Sequence, residues 1–395
     1  MPVNLIDIQR KLTDFSTQAR ARKESIAIRH QEVTDLVDAY AVRLDELRSR
    51  AERAMALIPR LRCAFPVDEP LNAAIPSLAL PEKFTVIAAD GSQINPSRHA
   101  RVEFCVINVA VVKMVRGSGQ TPEIFTHSQL MDYDSVFLAN GGMITEGMVA
   151  LKRDLREREA LLELADDIDH PAVSMTDGPL ELYREPQDVQ GFNQSLDRYL
   201  EVLGELHDRA LITLGYVDKP GSDLIARLLE LVQLSDDDLE VYHQRRRRFA
   251  GVNDVHLMAD LLQKPGERSA VFAIHSDIAR RFSGDLALHF FYINVGLPGR
   301  PHLARVEIPG WVAKDPTLIG MLQAVLVEQA GIMGTRPYPY ILHRAHEEAI
   351  VTLLEGEHVE EMIIAAFDRR DIPVYEKSYK QYHKDLPTKK TRYLG

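Results

Sequence analysis

The sequence predicts a mixed α/β protein, in which helices flank a sheet that contains both parallel and antiparallel strands. Two observations support this prediction. Short apolar segments alternate with amphipathic helical patterns between residues 143 and 232 of the 395-residue chain. Three strand-like segments follow one another before that alternation begins. A meander of strands followed by strand–helix units is typical of a mixed sheet with helices on its faces.

The predicted elements follow one another as three strands, a helix, a strand, a helix, a strand and a helix. Apolar runs bounded by turn residues predict the strands, and apolar residues three and four positions apart predict the helices. This is the element order of the ribonuclease H-like fold. The predicted strands are 84–89, 102–115, 123–127, 172–176 and 210–217, and the predicted helices are 143–168, 192–208 and 222–232.

Additions are predicted at both ends of this sheet. A charged segment without glycine or internal proline predicts one long helix from Ile6 to Leu57, either an arm on a partner or second subunit or a helix folded back on its own domain. Further strands are predicted at 270–275, 287–295 and 304–308, with a hairpin between the last two, and helices at 315–330 and 340–354. We therefore divide the chain into a helical arm (1–65), a main domain (80–355) with an insertion around 235–310, and a C-terminal helix and basic tail (356–395).

The composition excludes several classes of protein. A net charge of −11 argues against a protein that coats nucleic acid through overall basicity, although an acidic metal site is compatible with it. Cys63 and Cys105 provide neither a disulfide framework nor zinc-binding spacing. The N-terminus lacks the order of a signal peptide, and no apolar run reaches the ~20 residues of a membrane helix, so we expect a cytoplasmic protein. Walker A, GxGxxG and GxSxG motifs are absent from the sequence.

Two aspartates are the strongest candidates for chemistry. Asp90 and Asp177 each follow a short apolar strand and each precede a glycine, which allows a sharp turn. Ligands gather at the carboxyl ends of strands in open α/β sheets. Two carboxylates at the ends of neighbouring strands bind a hard divalent cation, whereas Asp-Gly alone is a common turn.

The helix between the two aspartates offers three glutamates, Glu157, Glu159 and Glu163, as a further ligand. Most charges on such a helix form solvated pairs. We favour Glu159, because Leu155 and Leu162 flank it at helical spacing, and we place Glu157 second.

Histidines and basic residues supply further candidates. His343 and His346 are three residues apart on a predicted helix, a spacing compatible with a metal site or with ordinary surface side chains. Tyr216 ends a predicted strand and Lys219 follows it, so the phenol and ammonium are candidates for holding a phosphate or an attacking water. The run Arg245, Arg246, Arg247 and Arg248 is either a solvated surface or a phosphate-binding track.

Four segments together resemble the NurA nuclease family. They are AADGS around Asp90, SMTDGPL around Asp177, GYVDKPGSDL around Tyr216, and YPYILHRAH, which ends at His346. Their order along the chain also agrees with that family. The resemblance spans nearly everything from Phe84 to the region of Leu353.

The resemblance implies a manganese-dependent DNA nuclease with single-strand endonuclease and 5′ to 3′ exonuclease activity. It also implies a dimeric ring that processes DNA ends with a HerA-type hexameric ATPase, in repair or in antiviral defence. Asp90, Glu159, Asp177 and His346 would be the metal ligands, and Tyr216 a residue of the catalytic site. Manganese accepts mixed carboxylate and imidazole ligands, whereas magnesium, also considered, prefers oxygen. Two ions per site would support in-line hydrolysis without a covalent intermediate.

Two other functions fit the same residues. One is a non-catalytic adaptor, in which the ribonuclease H-like body only docks onto a hexameric ATPase. The other is a metal-dependent phosphoesterase for small substrates, which needs no track for DNA and hence no arginine run.

Overall fold

A computed structural model describes residues 4–137, 142–169, 171–182 and 189–374, and the basic tail predicted beyond them lies outside these residues. The strands are β1 Cys63–Pro66, β2 Phe84–Ile94, β3 Val106–Arg116, β4 Glu123–Leu130, β5 Ala172–Asp177, β6 Ile212–Val217, β7 Phe272–His275, β8 Leu288–Asn294 and β9 Leu303–Pro309. The α-helices are α1 Leu5–Ala39, α2 Leu44–Leu57, α3 Tyr133–Val136, α4 Glu146–Glu163, α5 Val189–Asp208, α6 Leu224–Leu231, α7 Asp236–Glu240, α8 Asp254–Leu261, α9 Gly310–Ala313, α10 Pro316–Ile332, α11 Tyr340–Ala349 and α12 Leu353–Asp368. The mixed α/β class is therefore confirmed.

The chain forms two compact units that interleave along the sequence. The first unit comprises Met1–Glu82, Asp177–Glu181 and Ile212–Tyr340. The second unit comprises Lys83–Thr176, Leu182–Leu211 and Ile341–Gly395.

The second unit contains the predicted meander. Its strands lie in the order β5-β2-β3-β4. β2, β3 and β4 pair antiparallel, and β5 pairs parallel to β2. The first half of β2 is fully buried, which explains its uninterrupted apolar sequence, and α4 packs on β2, β3 and α5. This arrangement places α4 across the strand that carries Asp90.

The strands of the first unit lie in the order β1-β7-β8-β9-β6, and the neighbouring strands in this series pair antiparallel. The hairpin predicted between β8 and β9 is confirmed. Around β1, buried residues of α2, α6 and α7 form an apolar cluster that includes Ala54, Cys63, Leu231 and Leu239. This cluster anchors α2 to the unit.

The predicted end of the first strand is wrong. β2 does not stop at Ala89 but continues through Asp90 to Ile94, where it pairs only with β3. The parallel pairing with β5 ends earlier, at the partners Ala89 and Thr176. The apolar run therefore covers the part of β2 that lies between β3 and β5 and is buried. Beyond Ala89 the strand pairs with β3, and its side chains become half-buried.

The long N-terminal helix is divided, contrary to the prediction. α1 ends at Ala39 and α2 begins at Leu44, and in the bend the carbonyl of Ala41 accepts a hydrogen bond from the Leu71 amide at 2.9 Å. A contact distant in sequence thus divides a segment that contains no local helix breaker. In the described part of the chain, every helix is too short or too polar to serve as a membrane span.

The predicted helix at 340–354 is also wrong, because α11 ends at Ala349 and α12 begins at Leu353. Thr352 caps α12 in a reciprocal capping box with Glu355. The T-x-x-E pattern that produces this box is present in the sequence. It was the local signal for the helix start that the apolar periodicity obscured.

Candidate active site

Asp90 lies on β2 in the second unit and is almost completely buried. Its Oδ1 accepts a hydrogen bond from the Gly91 amide at 2.8 Å. Asp90 is the residue after Ala89, which pairs with Thr176, and Asp177 is the residue after Thr176. Asp90 thus lies directly after the end of the parallel pairing between β2 and β5.

Gly91 allows α4 to approach β2 closely. A Cβ at this position would lie 2.7 Å from the Cγ of Arg153 and 2.8 Å from the Oε1 of Glu157. Real side chains do not tolerate such distances, so the glycine after Asp90 serves this approach rather than the sharp turn that the sequence suggested. The close approach places the Glu157 carboxylate directly beside the backbone that follows Asp90.

Glu157 is a buried carboxylate on α4. Burial, followed by the negative charges of Asp154 and Asp90, raises the pKa of the Glu157 carboxyl well above its usual range, although Arg153 and Arg158 act in the opposite direction. Arg153 contacts Glu157 at 3.3 Å and Asp154 at 2.9 Å. Glu157 therefore favours its neutral form unless additional positive charge is brought to it.

His346, on α11, contacts Asp90 directly. Its Nδ1 lies 2.7 Å from the Oδ2 of Asp90, and its side chain is 59% exposed. A carboxylate oxygen only accepts hydrogen bonds, so this contact requires the proton to sit on Nδ1. The lone pair of Nε2 is then available to a metal ion or to water, as in carboxylate–histidine pairs that support metal sites.

Polar side chains of the sheet hold the end of α11 next to Asp90. The carbonyl of Ala349 accepts hydrogen bonds from the hydroxyl of Ser92 and from the Asn108 Nδ2 at 2.8 Å. Ser92 in turn accepts from the Val351 amide at 3.2 Å, and Asn108 accepts from the Ser128 hydroxyl at 2.7 Å. This set, the α11 clamp, attaches the helix that carries His346 to β2 and β3.

Asp177 begins a turn that belongs to the first unit, and its side chain is exposed. Gly178 has a φ of +94°, and its amide donates to the Tyr216 carbonyl at 2.7 Å. A Cβ on Gly215 would lie 2.6 Å from the Gly178 carbonyl oxygen, so that position also requires glycine. The buried carboxylate of Glu307 accepts the Leu180 amide at 2.8 Å, which completes the attachment of this turn.

Tyr216 and Lys219 lie in the first unit in contrasting environments. Tyr216 is fully buried, its ring meets Tyr338 edge-on at 5.5 Å, and its hydroxyl has no hydrogen-bond partner within the described residues. Burial, together with the negative charges of Asp218 and Asp177, raises the pKa of this phenol above its ordinary value. Lys219 is exposed. The predicted role of Tyr216 toward a phosphate stays a prediction, and its burial argues against direct contact.

Two of the other candidates form ion pairs away from Asp90. Glu159 contacts Arg198 on α5 at 3.3 Å and Arg156 at 3.9 Å. His343 contacts Glu347 at 3.4 Å along α11. Of the glutamates and histidines considered, Glu157 and His346 are thus the two beside Asp90.

Three members of the arginine run are paired with carboxylates. Arg245 contacts Asp238 at 2.7 Å and Arg248 contacts Glu32 at 3.2 Å. Arg247 contacts Asp223 and Glu230. Arg246 is exposed. The phosphate-binding role of this run stays a prediction, and the pairing favours a structural role for three of its members.

The donor atoms around Asp90 suit a divalent cation in chemical type. They combine carboxylate oxygens with an imidazole nitrogen, which manganese accepts. Glu157 is a buried acid that lacks sufficient positive charge to stay ionised, and a cation would supply it. Within the described residues, no group of three or more histidines, cysteines, aspartates or glutamates is arranged to hold a metal ion. The chain thus presents the Asp90–His346 pair with Glu157 beside it, rather than a completed metal cage.

The sequence placed Glu157 second among the glutamates and gave no indication of Ser92 and Asn108. Glu157 precedes the buried Ala160 and Leu161 by three and four residues, a helical spacing that signals its burial. Ser92 and Asn108 carried no such signal, because their partner is a backbone carbonyl some 240 or more positions away in sequence.

The fold and the Asp90–His346 pair define a mixed α/β protein whose sheet carries a buried acid in contact with a histidine. The NurA domain family model matches residues 84–351, about two thirds of the chain. The chain therefore belongs to the NurA family.

Among solved structures, the NurA nuclease from Sulfolobus solfataricus is similar to this chain, with a TM-score of 0.54 and 12% identity over 92% of this chain and 98% of that one. The catalytic domain of human Endonuclease V is also similar, with a TM-score of 0.31 and 15% identity over 80% and 95% of the two chains. A comparison with curated proteins finds no match. The mixed α/β fold expected from the element order is thus shared with the NurA nuclease structure.

Proposed function

We propose that this protein is a metal-dependent DNA nuclease whose active centre is built on Asp90, His346 and Glu157. The contact between Asp90 and His346 carries the proposal, because it joins two of the residues expected from the NurA motifs although 256 positions separate them in sequence. Membership of the NurA family and the similarity to a NurA nuclease support the same conclusion.

We assign metal binding to Asp90, Glu157 and His346. Because the Nδ1 of His346 contacts Asp90, its Nε2 faces away from that carboxylate and would serve a second ion. Asp177 is a further proposed ligand, because the resemblance to the NurA family implies it. Glu159 is a less favoured ligand, since Arg198 holds it elsewhere. These residues would hold manganese or magnesium, which would supply activation of a water molecule and stabilisation of the leaving oxygen, with two ions per centre for the two tasks.

The protein side chains fix the protonation of this centre. Asp90 Oδ2 keeps the proton of His346 on Nδ1 and so directs the Nε2 lone pair outward. Burial raises the pKa of the Glu157 carboxyl, and a bound cation would favour the carboxylate form in which metal ligands bind. The α11 clamp maintains the distance between the helix and the strand.

The finer activity follows from the NurA resemblance. We propose single-strand endonuclease and 5′ to 3′ exonuclease activity at DNA ends, exercised as a homodimer together with a HerA-type hexameric ATPase. The biological role would be repair or antiviral defence. A phosphate track at Arg246 and Lys219 is proposed for the DNA, since both side chains are exposed.

The purified chain is expected to degrade single-stranded DNA with Mn²⁺ and to lose this activity with EDTA. Asp90→Asn and His346→Gln should each reduce kcat by about a hundredfold or more, as expected for loss of a metal ligand or its support. His343→Gln is the matched control, because His343 lies on the same helix but pairs with Glu347. Undiminished cleavage by both active-centre variants, with unchanged folding, would contradict the site.

A non-catalytic adaptor is the second candidate, favoured by the lack of a three-ligand group among the described residues. Calorimetric titration with Mn²⁺ separates the two functions. A nuclease should bind Mn²⁺, and Asp90→Asn should weaken that binding. An adaptor should show neither Mn²⁺ binding nor cleavage, alone or with an ATPase partner.

A further inference from the structure

A cavity of about 440 Å³ lies in the second unit beyond the proposed active centre. Its volume falls within the range of ~300–1,000 Å³ that is typical of sites for small organic groups. Its walls come from the end of β2, the segment that precedes β3, and the start of α12. None of the residues assigned to catalysis or metal binding lines it.

We propose that this cavity receives a nucleobase of the DNA strand, one to three nucleotides from the phosphate at the active centre. The proposal rests on the nuclease function proposed above and assigns the same centre a substrate-recognition subsite. The first observation that supports this proposal is the position of the cavity along β2. Gln93 lines the cavity three residues after Asp90, which corresponds to about 10 Å along an extended strand. Stacked nucleotides advance by about 3.4 Å each, so this separation corresponds to at most three of them.

The α11 clamp connects the centre to the cavity on its other side. Val351 and Thr352 line the cavity, and they follow directly on the helix that carries His346. Ser92 holds the Val351 amide at 3.2 Å. Ile94 also lines the cavity and lies on the same face of β2 as Asp90, because side chains alternate along a strand. A DNA strand bound at Asp90 and His346 would reach the cavity along this face.

The chemistry of the walls suits a base and not a phosphate. Phe104 and Leu353 offer apolar surfaces, and Leu353 is 89% exposed, so nothing in the described part of the chain covers it. Aromatic side chains bind bases by stacking without strict sequence preference. The carboxylates of Glu357 and Glu360 also line the cavity, and Glu360 is engaged by the Arg101 amide at 2.8 Å. The guanidinium of Arg101 also pairs with Glu360 at 3.8 Å, so Glu357 is the carboxylate that disfavours a phosphate, and both carboxylates accept hydrogen bonds from amino and imino groups of bases.

The side-chain amides of Gln93 and Asn95 provide further hydrogen-bonding groups for the edge of a base. The Gln93 Nε2 donates to the Asn95 Oδ1 at 2.7 Å, whereas the Gln93 Oε1 is buried with no hydrogen-bond partner among the described residues. An unsatisfied buried acceptor is costly. A base donor in the cavity would satisfy this oxygen once the amide turned toward it.

Gly356 offers a direct test of the cavity. It lines the cavity within α12, and a Cβ there would meet only the Ile94 Cδ1, at 3.6 Å. Gly356→Leu should therefore fill the cavity while improving the helix propensity of α12. Gly204→Leu is the matched control, because Gly204 lies within α5 and a Cβ there has nothing within 4 Å.

The experiment measures binding of a fluorescent single-stranded DNA oligonucleotide without divalent metal, so that cleavage plays no part. Abasic sites placed one at a time along the oligonucleotide should weaken binding by wild type about tenfold at one position, as expected for loss of a stacked base. Gly356→Leu should weaken binding of the intact oligonucleotide by a similar factor and abolish the sensitivity to the abasic site, whereas Gly204→Leu should match wild type.

Several outcomes would overturn the proposal. A flat abasic scan in the wild type, which needs no variant, means that no base enters the cavity. If a free mononucleotide bound to the cavity in competition with the oligonucleotide, while abasic sites had no effect, the cavity would be assigned to a free nucleotide and not to a base of the DNA strand. If the protein cleaved DNA with Mn²⁺ but abasic sites at all positions had the same effect on binding, the proposed nuclease function would stand and the base-binding role of the cavity would be rejected. A position-dependent scan without any cleavage would retain the subsite and reject the nuclease.

Discussion

Gly91 is the residue of β2 that allows α4 to pack closely against this strand. Gly91→Ala is expected to lower the free energy of unfolding by about 1–3 kcal/mol, the usual cost of overpacking, because its Cβ would clash with Arg153 and Glu157. Cleavage of DNA should fall as well, since Glu157 must move. Chemical denaturation and steady-state kinetics measure the two effects.

The control for this prediction is Gly204→Ala on α5, where a Cβ meets nothing within 4 Å. That variant is expected to be as stable as wild type or more stable by up to ~1 kcal/mol, because alanine is the better helix former. If Gly91→Ala behaved in the same way, the close packing of α4 on β2 would be refuted.

Asp254 gives the first unit a measurable dependence on pH. Its carboxylate is fully buried and accepts the Ile225 and Ala226 amides at the start of α6. Burial, the largest influence, raises the pKa of Asp254 from its ordinary 3.8 to about 6. The native state therefore binds this proton more tightly than the unfolded chain, so the stabilisation is complete below pH ~4 and is lost as the pH rises through 6.

The variant Asp254→Asn lacks this titration. The free energy of unfolding of wild type is expected to fall by about 2–3 kcal/mol relative to Asp254→Asn between pH 4 and pH 7, at ~1.4 kcal/mol for each pKa unit. Thermal unfolding across this range measures the difference. Asp237→Asn, at an exposed position of α7, should follow wild type, and parallel curves for all three proteins would contradict the assignment.

At the scale of elements, the α11 clamp determines whether the centre is assembled. Asn108→Leu removes the donor to the Ala349 carbonyl and leaves this buried acceptor with one bond fewer, at a cost of about 1–3 kcal/mol. We expect kcat on single-stranded DNA to fall with little change in KM, because His346 shifts while the cavity for the base persists. Faster hydrogen exchange in α11 is the second measurement.

Ser128→Ala provides the comparison, since the Ser128 hydroxyl donates to the Asn108 Oδ1, whereas the Asn108 Nδ2 holds the Ala349 carbonyl. Its effect on kcat should be several times smaller than that of Asn108→Leu. Equal losses in the two variants, or a loss confined to KM, would mean that the clamp acts on stability or binding instead of on the position of His346.

The elements also show how far local sequence determines structure. The apolar patterns located β2 to β9 and the helices α4, α5, α6 and α10 to within about five residues, because burial imposes the same periodicity wherever it occurs. They did not predict β1 or the short helices α7 and α8. The division between α1 and α2 depends on the Leu71 amide, and the end of α11 depends on Ser92 and Asn108. These hydrogen-bond partners are remote in sequence from the helix ends that they contact, so the local sequence pattern could not predict where those helices end.

At the scale of the whole molecule, the first turns of α1 offer a surface for self-association. Leu5, Ile8, Leu12 and Phe15 recur at spacings of three and four residues and are all exposed. The later part of α1 is attached to its own unit, through Arg29 to the Ala250 carbonyl and Glu32 to Arg248. An exposed apolar stripe with this period is typical of a helix that pairs with another.

The proposed homodimer is therefore expected to dissociate when this stripe is charged. Ile8→Glu combined with Phe15→Glu should shift sedimentation from dimer to monomer, because burying unpaired carboxylates in a helix interface is costly. Val42→Glu, at an exposed apolar position in the bend after α1, is the control and should leave the dimer intact. A monomeric wild type, or a dimer that survives the double substitution, would refute this role of α1.

The α/β class, the strand–helix order, and Asp90 and His346 as candidates could be predicted from the sequence, because periodic burial and short motifs are local properties. The contact between His346 and Asp90, and the approach of Glu157 rather than Glu159 to the backbone after Asp90, became visible only in the folded chain. The physical reason is the packing of α4 and α11 on β2, which depends on Gly91, Ser92 and Asn108 making contacts with residues far away in the chain.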